Sequence, residues 1–527
     1  INGIPTIVSL GGSNPDPTYY QKLPSYALRQ GYSDVYDVHQ RFVNDGQLDW
    51  NSLYEGNLNP FNAGYSSYVL YEDRNDDNQF TFNTIFETEL NENITINAAA
   101  HYKNLSSNNF AKVVDLLGGT KYLDVDNFAD TNDTRQNDLL NPNREVTVGD
   151  KFKYNFNLHT NVIDGFVQGQ FKYNKVDFYL SGSVTSTQYQ REGIYQNGGF
   201  PDNSVGKGDK LSFTGIGAQG GLTYKFSGKH LFDVNAGYIT RAPSLRNTYS
   251  NSRENHNVVP NITEEKIASI DASYIFRSPI VKAKLTGYYT KIQDASEISF
   301  FFADGIGGDN TAFVQEILQG IDKRHIGGEL GIEAQVTPTI KLKGVASVGQ
   351  YTYDNNPNLF LTTEADDESI AAGFVEGFKD FGQANLKDYK LAAGPHRAYS
   401  VGFEYRDPDY WWVGATANFF TNTYIDVSPL TRSENFTSDF DGNTFNDYDE
   451  DLARELLKQE RFDDYMVVNL IGGKSWKLGD KYISIFASIN NLLDEVYKTG
   501  GFEQGRNANF RQLRDDKALD TQVFGSK

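Results

Sequence analysis

Apolar and polar residues alternate with period two along this chain, in paired segments separated by only a few turn-forming residues. Phe80, Phe82, Thr84, Phe86, Thr88 and Leu90 share one face of an extended segment, with Thr81, Asn83, Ile85, Glu87 and Glu89 on the other. Asn91-Glu92-Asn93 turns the chain, and Ile94, Ile96, Ala98, Ala100 and Tyr102 carry it back. Such alternation marks a strand with one apolar face, and a short polar break between two of them marks a hairpin. The unit recurs six more times, turning at Asn174-Lys175, Ser227-Gly228-Lys229, Arg277-Ser278-Pro279, Pro338, Asp407-Pro408-Asp409 and 477–480. Seven hairpins predict fourteen strands.

The hairpins are joined by much longer connections, near 105–150, 185–210, 241–265, 292–326, 351–397 and 421–464. Short turns therefore gather at one end of the sheet and long connections at the other. A soluble sandwich has no reason to sort its loops this way, whereas an outer-membrane barrel keeps short periplasmic turns and long extracellular loops. No apolar run approaches the length of a transmembrane helix. A sheet needs none, because a closed barrel pairs every backbone group internally and only alternate side chains must be apolar. The fold class predicted is all-β, a transmembrane antiparallel β-barrel. Lys103, Glu329, Glu333, Lys341 and Glu404 then face the lumen, since a one-residue slip would push them into lipid. Tyr102, Tyr173, Tyr238, Tyr289 and Trp411 fall near strand ends, where amphipathic rings form interfacial girdles.

Composition removes several functions. The chain has no Cys, which excludes disulfides, thiolate metal sites and a thiol nucleophile. The 69 Asp and Glu outnumber 48 Lys and Arg, for a net charge of −21, and no basic patch offsets them, so no nucleic-acid partner is expected. Gly215-Ile216-Gly217-Ala218-Gln219-Gly220 spells a dinucleotide fingerprint, but Leu222-Thr223-Tyr224-Lys225-Phe226 continues it as strand, and a phosphate cradle needs a helix there. The seven histidines, His39, His101, His159, His230, His256, His325 and His396, are dispersed, which excludes a zinc-hydrolase helix motif. There is no nucleophile elbow, and no two carboxylates stand out as a catalytic pair. The chain is read as no enzyme and as having no resident cofactor.

Two loop features stand above this background. Asp439, Asp441 and Asn443, followed by the acids of 447–451, concentrate oxygen ligands as a candidate Ca²⁺ loop, although the spacing is not that of an EF-hand. Leu452, Ala453, Leu456 and Leu457 predict a short amphipathic helix packed on the loops, with Arg454 and Lys458 facing solvent. Trp50, Tyr54, Phe300, Phe301, Phe302, Tyr351, Tyr353 and Tyr424 are aromatic candidates for ligand contact in the loops; such residues serve loop packing equally well.

Arg241-Ala242-Pro243-Ser244, the run 260–266, the segment 447–457 and Ser488-Ile489-Asn490-Asn491-Leu492-Leu493-Asp494 with the following 497–507 resemble the barrel of TonB-dependent outer-membrane receptors in the Bacteroidota style. The resemblance implies a barrel of about twenty-two strands filled by an N-terminal plug. It also implies import of a glycan, peptide or metal chelate, driven through the plug by the TonB-ExbB-ExbD complex, in the outer membrane of a Gram-negative bacterium. Outer-membrane lipid or lipopolysaccharide, and a surface lipoprotein, are the further partners it suggests. Neither plug nor coupling segment is read in these residues, so the fourteen strands are expected to be the eighth to twenty-first of a longer polypeptide. On that reading residues 1–65 are an extracellular loop region, 66–491 the barrel strands with their loops, and 492–527 the last extracellular loop. The same wall also suits a passive porin or a docking scaffold in an outer-membrane complex, and a soluble secreted glycan-degrading enzyme is the remaining alternative.

Overall fold

The computed structural model describes residues 14–524, apart from 128, 130, 309, 364–366, 376 and 504. Fourteen long antiparallel strands follow one another in chain order as one sheet. They are β1 (Leu70–Asn91), β2 (Ile94–Asp115), β3 (Lys151–Lys172), β4 (Val176–Gly193), β5 (Leu211–Lys225), β6 (His230–Arg241) and β7 (Glu265–Arg277). The series continues with β8 (Val281–Ile306), β9 (Asn310–Gln335), β10 (Ile340–Tyr353), β11 (Arg397–Arg406), β12 (Trp411–Thr421), β13 (Tyr465–Leu478) and β14 (Lys481–Ile489). The seven expected hairpins are all present. Among the described residues β1 pairs only with β2 and β14 only with β13, which leaves each a free margin.

The register places the expected apolar set on one face. Ala98, Val167, Gly182, Ala218 and Tyr238 lie directly opposite one another across five strands. Val167, Leu180, Ile216, Ile270, Leu285, Leu342 and Val401 are all exposed, with no second layer over them. A bare apolar belt on one face of a sheet is what hydrocarbon requires and water forbids. The opposite face carries paired charges: Lys341 reaches Glu333 at 3.3 Å and Lys343 reaches Glu404 at 3.3 Å. Lys103 and Glu329 fall on the same side by alternation. The dinucleotide-like run lies inside β5. A Cβ on Gly217 would collide with Ser183 Oγ, so close strand approach explains that glycine.

One expectation is corrected. The stretch 292–326 is not a loop: β8 and β9, each of 26 residues, continue as a paired hairpin to a tip at Gly307 and Gly308. The register shifts between Ile292 and Ser296, where Asp294 and, on the partner strand, Gly320 have positive φ, and again near the tip between Asp304 and Ile306. Above the first shift protein lies against both faces: Val314 and Leu318 pack in one cluster, Ile317 with Val259 and Phe360 in another. Apolar residues on both faces erase the period of two, so the sequence reads as irregular there. β2, β3 and β4 likewise outrun the alternating segments, reaching Asp115, back to Lys151, and on to Gly193.

The compact core therefore sits above the wall, in the loops. Its largest part joins the upper ends of β8 and β9 to Leu359, Leu361, Leu386, Leu391, Val427 and Leu430. The expected helix is present as Glu450–Leu456, burying Ala453 and Leu456 against Phe436, Phe445 and Phe510, with Arg454 exposed. Residues 1–65 are not featureless where described: α-helices run over Pro24–Arg29, Val35–Asn44 and Trp50–Asn57. A further helix, Phe510–Phe524, follows the last strand and packs into the loop cluster.

Candidate functional site

The lumenal face of the wall meets the loop cluster at the upper ends of β8 to β12, and there a row of rings assembles. His325 lies directly opposite Tyr351 in the β9–β10 register, their rings 5.1 Å apart. Tyr351 packs edge-on against His396 at 4.8 Å, and His396 against Tyr424 at 5.1 Å. The Tyr288 hydroxyl lies 2.7 Å from that of Tyr351. His396 is buried and holds the carbonyl of Leu391 at 2.9 Å through Nε2, which fixes its ring. Tilted and edge-on rings with hydroxyl and imidazole edges are suited to binding a partly apolar, hydrogen-bonding solute; no nucleophile with an adjacent base is present in the row.

Tyr351 and Tyr424 are expected from sequence and are brought together here. Tyr288, His325 and His396 are additions from the structure. Tyr353, one step further up β10, is only 5% exposed within the loop core and packs there. Phe301 packs on the same core and Phe302 lies under the Arg506 guanidinium at 4.6 Å, while Phe300 is exposed. Trp50 and Tyr54 are half-exposed on the Trp50–Asn57 helix, which is pinned through Asn57 to the carbonyls of Tyr68 and Leu116 at the top of β1 and β2. The aromatic candidates thus fall into a packed group, a lumenal group and an outlying pair.

Polar clamps hold the loops over this row. Asn435 donates to the carbonyls of Gly305 and Ala508 and accepts from the Gly307 N–H, so one buried amide joins three segments. Arg432, nearly fully buried, makes a bidentate ion pair with Glu503 and stacks on Tyr389 at 4.8 Å. Asp439 closes its own turn, accepting from the N–H groups of Asp441 at 3.1 Å and Asn443 at 2.8 Å. Among the described residues no three acidic or histidine side chains gather as a metal-binding group. The acids that follow have other partners. Asp449 caps the Glu450–Leu456 helix, and Arg514 and Arg511 beside Asp447 hold its carboxyl down to about 2.

One carboxyl in the cap is set for a pH response. Glu316 stands ten residues above Ile326 along β9, outside the apolar belt, and is 5% exposed. Ser299 donates to one of its oxygens at 2.9 Å. Burial, aided by Asp426 and Glu297 and opposed by the Ser299 and Leu430 hydrogen bonds, pushes it from 4.5 up to about 7. A raised carboxyl favours the folded cap while protonated; its contribution is complete below 4.5 and is lost as pH rises through about 7. Protection factors in segments 312–318 and 425–432, which remove the intrinsic rise of amide exchange with pH, are therefore expected to fall across that window, and Glu316→Gln to flatten the decline. A Gln variant that keeps the full pH dependence would assign it to another group.

A sequence model described as TonB dependent receptor-like, beta-barrel, matches residues 4–492. No curated protein sequence matches. Among solved structures, the copper transporter OprC is similar at 13% identity and TM-score 0.49, covering 81% of this chain and 52% of that one. The ferric citrate transporter FecA, unliganded, gives 8% identity and TM-score 0.49 over 82% and 52%. The ferric yersiniabactin uptake receptor FyuA from Yersinia pestis gives 11% and 0.44 over 82% and 51%. The chain spans about half the length of these structures.

Proposed function

Because this chain belongs to the TonB-dependent receptor β-barrel family, with the family's model matched over residues 4–492, we propose that it forms part of an importer that moves a solute across the outer membrane of a Gram-negative bacterium at the expense of the TonB-ExbB-ExbD complex. The observation that carries this reading is a lipid-facing wall joined to a packed loop cap, with a lumenal row of rings where the two meet. A glycan, a peptide or a metal chelate each offers the apolar faces and polar edges that Tyr351 and Tyr424 can meet, with His396 buried behind them and fixing their rings. In such an importer the cap and the row select the solute, and energy enters from the periplasmic side. A surface lipoprotein and the lipopolysaccharide leaflet are the partners this reading gives to the cap and to the rim of the wall.

Solute depletion from a defined medium tests the proposal whichever of these solutes is carried. Cells carrying the protein are expected to deplete at least one component that cells lacking it leave in place. Deleting TonB or collapsing the proton gradient is expected to abolish that depletion. Depletion that survives both treatments would identify a passive pore, and no difference on removing the protein would identify a scaffold.

A further inference from the structure

We propose that residues 24–57 form a strap across the extracellular mouth, latched at one end by Arg29, and that release of this latch opens the lumen to solutes outside.

The two ends of the segment are fixed at distant points on the rim. At one end, the Pro24–Arg29 helix lies on the Phe510–Phe524 helix. Arg29 there makes an ion pair with Asp516 and approaches Asp304, at the β8–β9 tip, at 3.9 Å. At the other end, Asn57 is 2% exposed; besides its two carbonyl partners at the top of β1 and β2, its Oδ1 accepts from the N–H groups of Ser67 and Tyr68. The margin strand β1 and the β8–β9 tip are about seven strand spacings apart, roughly 34 Å along the wall at ~4.8 Å per strand. A segment joining two such points on a curved rim crosses the opening that the rim encloses.

Between its ends the strap is loosely held. The Val35–Asn44 helix has no buried residue, although Val35, Val38 and Phe42 line one of its faces. A cleft of about 540 Å³ lies among the three helices, the residues just before them and Tyr68, so the helices are not closely packed on one another. The latch itself is electrostatic: two carboxylates converge on one guanidinium, and Arg506 competes for Asp304 at 3.0 Å. A segment with one firm end, an unburied middle and a polar latch is built to swing about the firm end.

The absence of cysteine makes the test direct. Spin labels on Val43→Cys and Val375→Cys, both exposed positions, report the strap against the loop cap. Arg29→Glu sets like charges together at the latch and is expected to broaden and lengthen the inter-label distances, while Arg29→Lys keeps the parent distribution. In a second readout, Ser347→Cys on the lumenal face of β10 is reacted with a bulky maleimide added from outside. Arg29→Glu is expected to speed that reaction by about tenfold, and the charge swap Arg29→Glu/Asp516→Arg to bring it back toward the parent rate. Distances and rates that stay at the parent values in the Arg29→Glu protein overturn the strap. Neither readout uses a transported solute or TonB, so failure here is distinct from failure of the import reading.

Discussion

Replacing Leu285 and Leu330 together by arginine is expected to abolish assembly of the protein in the outer membrane. The two side chains are directly opposite on β8 and β9, on the outward face, and both are exposed. Each arginine at mid-depth costs about 2–4 kcal/mol, so the pair removes roughly 4–8 kcal/mol, a large share of the ~5–15 kcal/mol that holds a typical domain folded. The neighbouring position supplies the control. Thr286 points to the lumen, opposite Glu329, and Thr286→Arg is expected to be accepted because it gains a cross-strand carboxylate. Heat-modifiable gel mobility of outer-membrane fractions measures both. Parent-level assembly of the double arginine variant would mean that this face does not meet hydrocarbon, and the membrane assignment of the wall would fall with it.

The second large effect is expected in the cap. Glu503→Ala strands the Arg432 guanidinium, whose side chain is 2% exposed and whose remaining contacts are the carbonyls of Ser428 and Leu457, the Thr431 hydroxyl and the ring of Tyr389. Breaking a buried pair by removing one partner costs about 3–5 kcal/mol. Removing both charges with Arg432→Met and Glu503→Leu is expected to recover most of that loss, because the desolvation penalty disappears with the charges. Hydrogen exchange should show the single variant opening 425–435 and 501–509 while the amides of β3 to β7 keep their protection. Equal loss of protection in cap and wall would show that the two do not unfold separately.

The wall was legible in the sequence because two solvents act on it at once. Lipid on one side and water on the other force each strand to alternate, and turns such as Asn91-Glu92-Asn93 are too short to be anything but hairpin ends. The upper halves of β8 and β9 were not legible for the converse reason: Ile298, Val314, Ile317 and Leu318 have protein on both sides, and nothing imposes a period of two. Half of the lumenal row was within reach. His325 and Tyr351 lie thirteen residues either side of Pro338, so a hairpin centred on that proline sets them opposite one another. A search for histidines close in sequence could not find this pair. His396 and Tyr424 come from separate long connections whose folding is non-local, and their meeting with Tyr351 had no local signature. The acids of 439–451 suggested cation binding by composition; in the structure Asp439 and Asp449 each accept two backbone N–H groups through one oxygen, and Asp447 pairs with two arginines.

The bare flanks of β1 and β14 constrain the order of assembly. Along each of them, among the described residues, a row of amides and carbonyls has no strand partner, and oil offers such groups nothing to bond with. Whatever completes the hoop has to zip onto these flanks before or while the belt enters the bilayer. Closure therefore cannot lag behind insertion, and a chain caught between the two exposes two sticky borders to every other nascent strand in the periplasm.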